Sequence, residues 1–111
     1  MRLYRIDELR ADDVKKFARH LEEMDLRSEM DGIFWLPVPP ELLSSRQKEH
    51  APLCGPYVMA LEVEETALNL EFLVRSKSTL HCSCLGYADE ALIRHMMAYV
   101  DETLRTLGVR C

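Results

Sequence analysis

The sequence predicts an α+β fold: an antiparallel or mixed β-sheet with a three-stranded C-terminal meander, two long amphipathic helices packed on one face, and one short extra helix. Three observations lead there. Apolar residues recur three or four apart in two stretches, Val14-Phe17-Leu21-Met24 and Ile93-Met96-Met97-Val100-Leu104-Leu107. Between them, from Tyr57 to Leu85, apolar and polar residues alternate at period two. A chain of 111 residues, 48% of them hydrophobic, matches a single domain over residues 1–111 whose core needs no metal or disulfide to hold it.

The elements follow in chain order. Leu3 to Ile6 reads as a first short strand. From Asp12 the helical stripe begins, with Lys15, Lys16, Arg19, Glu22 and Glu23 outside it. Asp31-Gly32 is a turn, and Ile33-Phe34-Trp35-Leu36 a strand closed by Pro37. Pro39-Pro40 introduces a short helix over Glu41 to His50, which Pro52 ends.

In the meander, a turn at Glu64-Glu65 sets Leu61 against Leu68, Met59 against Leu70 and Tyr57 against Phe72. A turn at Ser76-Lys77-Ser78 sets Val74 against Leu80, Phe72 against Cys82 and Leu70 against Cys84. Both registers put the same side chains on the core face. The last helix starts at Asp89 as N-cap and stops at Gly108.

Charge narrows the function classes. A net charge of -5, with fourteen scattered basic residues, argues against nucleic acid and against an anionic membrane surface. No apolar run is long enough to span a bilayer, and Met1 to Asp7 lacks the apolar core of a signal peptide, so a cytoplasmic location with reduced cysteines is expected.

The stretch Leu80-His81-Cys82-Ser83-Cys84 raises the main chemical question. In the expected register Cys82 and Cys84 join Phe72 and Val74 on the core face, where free cysteine packs as a small hydrophobe, and no metal or cofactor is required. The alternative is a zinc-type or thiol-dependent site, in which Cys54 and His50 join Cys82 and Cys84 as ligands. That requires the segment His50 to Cys54 to fold back over the core side of the sheet.

"CGPY" at Cys54 to Tyr57 resembles the Cys-Gly-Pro-Cys motif of thioredoxins over four residues only. Tyr57 replaces the second cysteine and the following residues alternate as a strand, so dithiol exchange is not expected. No phosphate loop, His-Glu-x-x-His or nucleophile elbow occurs. Trp35 reads as core, His95 as solvated, and Cys111 as an exposed terminal thiol.

The resulting expectation is a small cytoplasmic, non-catalytic binding or interaction domain. Its interaction surface is the second face of the meander, with Val58, Ala60, Leu73, Arg75, His81 and Leu85, and its partner a second copy of the chain or another protein.

Overall fold

A computed structural model describes residues 2–109, and Cys111 lies outside the described residues. The element order is β1 (Leu3–Ile6), α1 (Ala11–Glu23), β2 (Ile33–Pro37), a 3₁₀ turn (Pro40–Leu42), α2 (Ser45–Cys54), β3 (Tyr57–Val63), β4 (Leu68–Ser76), β5 (Gly86–Tyr87) and α3 (Glu90–Thr106). The α+β class is as the periodicities predict.

All strand pairs are antiparallel, in the order β1-β4-β3-β2, and β5 also pairs with β4. β1 and β5 share one edge of β4, since β1 pairs with its first half through Glu71 and β5 with Leu73 and Val74.

One face of this sheet is dry. Phe34, Leu36, Met59, Leu61, Leu68, Leu70, Phe72 and Val74 form one core cluster with Val14, Phe17 and Leu21 of α1 and Leu92, Met96, Val100 and Leu104 of α3. The two amphipathic helices bury the stripes their sequences predict, and this apolar burial is the main driving force of the fold. The Tyr4 hydroxyl donates to Asp101 at 2.7 Å, tying the β1 edge to α3.

The ends of α3 match their sequence signals. Asp89 accepts a hydrogen bond from the Leu92 N–H at 3.0 Å, and Gly108 takes a φ of 78°, where a side chain would strain the stop.

The meander differs from expectation in two ways. The β3–β4 register pairs Leu61 with Leu70 and Met59 with Val74, not with Leu68 and Leu70, because the loop spans Glu64 to Ala67 and β4 carries a bulge opposite Ala60. The first offset is two residues and the bulge adds two more, so the core face keeps its members. The third strand is displaced much further. Residues 77–85 form a loop, Leu80 is 85% exposed, and β5 begins only at Gly86.

Among the described residues, no helix lines the hollow on the other face of the sheet. Leu3, Arg5, Ile33, Trp35, Ala60, Glu62, Asn69, Glu71 and Arg75 line this shallow hollow of about 520 Å³. Trp35 is half-buried on this face, opposite Ala60, and not in the core as its sequence context suggests. Parity is the reason: Phe34 and Leu36 take the inward positions of β2, and Trp35 between them must point away. Among the described residues no helix is long and apolar enough to cross a membrane.

Candidate metal centre

α2 contributes two side chains. Ser44 accepts from the Gln47 N–H at 3.1 Å while Gln47 Oε1 accepts from the Ser44 N–H at 2.9 Å, a reciprocal cap that starts the helix at Ser45. The helix does not stop before Pro52. Proline forfeits only its own bond to the Lys48 carbonyl, and in the last turn of a short helix that loss is tolerated. Continuation to Cys54 has a direct consequence: His50 and Cys54, four residues apart, stand on one helical face.

The chain then leaves α2 tightly. A Cβ on Gly55 would meet the Ala51 carbonyl oxygen at 2.7 Å, so the exit needs glycine. The end of β4 is tied to this exit. Ser76 donates its hydroxyl to the Cys54 carbonyl, Ser78 does the same to the Gly55 carbonyl at 2.5 Å, and the Lys77 N–H donates to the Pro56 carbonyl at 3.1 Å. These bonds aim the loop of residues 77–85 back over the end of α2.

That loop contributes the other two side chains. A turn closed by the Leu85 N–H on the Cys82 carbonyl at 3.1 Å sets Cys82 and Cys84 toward the helix. His50 Nδ1 lies 3.1 Å from Cys82 Sγ, and the Cys84 N–H points at the same sulfur at 3.5 Å. The potential ligand atoms of His50, Cys54, Cys82 and Cys84 all lie within 4.8 Å of one another. Cys54 and Cys84 are buried, whereas His50 and Cys82 are half-buried.

A second ring of groups supports the first. Gln47, itself buried, donates from Nε2 to the Cys84 carbonyl at 3.1 Å. The buried Tyr57 hydroxyl has two acceptors within reach, the Gln47 carbonyl at 3.1 Å and Cys84 Sγ at 3.3 Å.

The thiols are electrically unequal. The Cys82 thiol is pulled down from its ordinary 9.0 to about 6, first by the Cys84 N–H aimed at its sulfur, then by the Cys84 and Cys54 thiols and His50. Cys54 is pushed up to about 12, first because its thiol donates to Cys82 and then by burial. Tyr57 is raised too, by burial and by its bond to Cys84. Negative charge therefore concentrates on Cys82, beside the Cys54 thiol that keeps its proton.

Three thiols and an imidazole are a donor set for a soft or borderline ion, above all zinc. Zinc–sulfur bonds of about 2.3 Å in a tetrahedron hold sulfurs about 3.8 Å apart, which fits inside the 4.8 Å that bounds the four candidate ligand atoms. All four tetrahedral positions would be filled by protein. With such an ion bound, no position would be left for a substrate.

Comparison of the chain with protein-family models, with curated proteins and with solved structures finds no match. The geometry of the chain's own residues therefore carries the functional reading.

The four residues of the metal alternative are thus adjacent in space, although the route differs from the one their sequence suggests. Cys82 and Cys84 are not on a strand, and they do not face Phe72 and Leu70 across a ladder. Cys84 still belongs to the core cluster, as does Cys54, and Cys82 packs against it. The sequence reading placed neither Gln47 nor Tyr57 at this site. A signal for Gln47 existed, since Ser44-x-x-Gln47 is a capping box.

The expected interaction surface is regrouped. Ala60, Leu73 and Arg75 lie on or beside the open sheet face, joined there by Trp35, Ile33, Leu3 and Arg5. Val58 is buried at 3% exposure and presents nothing to a partner. His81 and Leu85 fall in the loop of residues 77–85 instead of on a strand, with His81 exposed and Leu85 half-buried beside Leu73 and Trp35.

Proposed function

We propose that this chain is a non-catalytic, zinc-type metal-binding domain in which one ion, held by His50 Nδ1 and the thiolates of Cys54, Cys82 and Cys84, fastens the loop of residues 77–85 to the end of α2. The single observation that carries this reading is the convergence of four soft donors from two chain segments to within 4.8 Å. Ligands at positions 50 and 54 share a helical face, and ligands at 82 and 84 share a turn, so each segment delivers a pair. The loop is otherwise tied through Lys77, Ser78 and Cys84 but not through Cys82, and an ion that binds only the folded arrangement contributes its binding free energy to folding. A closed ligand set of this kind is structural in character.

Elemental analysis of protein purified without added chelator tests the reading. About one zinc per chain is expected, with loss of that metal in His50→Ala and in Cys54→Ser. Protein free of metal that also fails to take up added zinc would overturn it.

A second reading concerns the uncovered sheet face, favoured by the exposure of Leu3 at 45% and Met30 at 48% beside half-buried Trp35 and Ile33. On that reading the domain docks through this face to a second copy or to another protein, in a cytoplasmic setting where free thiols stay reduced. Its test is the oligomeric state in solution.

A further inference from the structure

We infer that Cys82 is the oxidation site of this metal centre, and that a hydroperoxide releases the ion by converting Cys82 and Cys54 to a disulfide. The inference rests on the metal reading above and adds a redox control to it.

Accessibility separates the three sulfurs. Cys54 is 7% exposed and Cys84 5%, both inside the core cluster, whereas Cys82 is half-buried and flanked by Leu80, His81 and Ser83, which are exposed. A small oxidant arriving from water therefore meets Cys82 first. The loop that carries it has no ladder partner between Lys77 and Leu85, so Cys82 can shift without breaking a strand. Cys84 is the more firmly held, through Gln47 Nε2 on its carbonyl and Tyr57 on its sulfur.

The partner sulfur is Cys54. It comes from a different segment and lies within 4.8 Å of the Cys82 sulfur. A bridge from Cys82 to Cys84 would instead close a small ring over Ser83 and pull against the Gln47 anchor.

The chemistry balances. The Cys82 thiolate attacks one peroxide oxygen and the O–O bond breaks, leaving a sulfenic acid on Cys82 and an alkoxide or hydroxide that takes a proton from water. The Cys54 thiolate then attacks the Cys82 sulfur, the S–S bond forms and hydroxide leaves. Two sulfurs lose two electrons and the peroxide gains them. Only His50 and Cys84 remain as ligands, too few to hold the ion.

The test uses the full chain with Cys111→Ser, loaded with zinc and treated with hydrogen peroxide. Free zinc is read with a chromophoric chelator, thiols by titration, and cross-links by mass spectrometry of a digest. The expected result is loss of about one zinc and two thiols in step, a Cys54–Cys82 cross-linked peptide, and renewed zinc uptake after reduction.

The variant Cys82→His keeps a four-ligand zinc set without the accessible sulfur, and its zinc should leave at least about tenfold more slowly. Retention of zinc by the parent under peroxide, zinc loss with a Cys54–Cys84 bridge or without any disulfide, or unchanged release from Cys82→His would each overturn the inference and leave the metal reading standing. Failure of the untreated parent to bind zinc would overturn both.

Discussion

The side-chain amide of Gln47 donates from Nε2 to the carbonyl oxygen of Cys84 at 3.1 Å, joining the first turn of α2 to the loop that carries Cys82 and Cys84. One residue thereby completes a helix cap through Oε1 and holds the Cys84 backbone through Nε2.

Gln47→Ala should act at both ends of this link. Loss of the Oε1 bond to the Ser44 N–H costs about 0.5–1 kcal/mol while the Ser44 hydroxyl still caps the residue-47 N–H, and the Cys84 carbonyl, left without its donor, adds about 1–3 kcal/mol. Zinc affinity should fall about tenfold, as expected when a group behind a ligand is removed. Urea unfolding of metal-free protein and chelator competition of loaded protein separate the two effects. A variant that loses stability but keeps its zinc affinity would show that Gln47 serves the helix alone.

The metal-free protein should show an uncommon pH response. Because Cys82 is lowered from 9.0 to about 6, its contribution to folded stability is complete above pH 9 and disappears as pH falls through 6. Cys54 works in the opposite sense: raised from 9.0 to about 12, it contributes below pH 9 and loses its contribution as pH climbs toward 12. Urea midpoints of chelator-treated protein should therefore rise from pH 6 to 9 and fall beyond. In Cys82→Ala the rise between pH 6 and 9 should vanish.

Tyr57→Phe removes the hydroxyl that lies 3.3 Å from Cys84 Sγ and 3.1 Å from the Gln47 carbonyl. Stability of the metal-free chain should drop by about 1–3 kcal/mol, since a buried acceptor is left without a partner. In cobalt-substituted protein the thiolate charge-transfer absorption should shift, because Cys84 loses a hydrogen bond that withdraws electron density from its sulfur. An unchanged cobalt spectrum would assign Tyr57 to packing only.

Leu73→Glu probes the open sheet face. Leu73 is half-buried beside Trp35 and Leu85, on the side of the sheet opposite the core cluster. Light scattering should show weaker association with the fold retained by circular dichroism. A wild-type chain that stays monomeric at high concentration would remove self-association from consideration.

Phe72→Ala should be the costliest of these changes, at about 3–5 kcal/mol, since Phe72 is 1% exposed between the sheet and its helices. Chemical denaturation measures it directly.

By itself the sequence determined the α+β class, both long helices and which residues of β3 and β4 face the core, though not the outward place of Leu80 and Trp35. Those features depend on local periodicity: Phe17 and Leu21, or Met96, Val100 and Leu104, must share a stripe wherever the helix goes, and Met59, Leu61, Leu70 and Phe72 keep their face under any even register shift. That is why the β3–β4 pairing could move by two residues before the bulge and four beyond it without exchanging inside for outside.

Only the tertiary structure brought the four candidate ligands together, because their meeting depends on events with no periodic signature. Pro52 reads as a helix end, yet α2 runs on to Cys54 and thereby aligns it with His50. The alternation through Leu80, Cys82 and Cys84 reads as a strand, yet Ser76, Lys77 and Ser78 bond to the exit of α2 and draw that segment away from the sheet as a loop. Side chains 28 to 34 residues apart in sequence meet through such tertiary bonds, which no local pattern encodes.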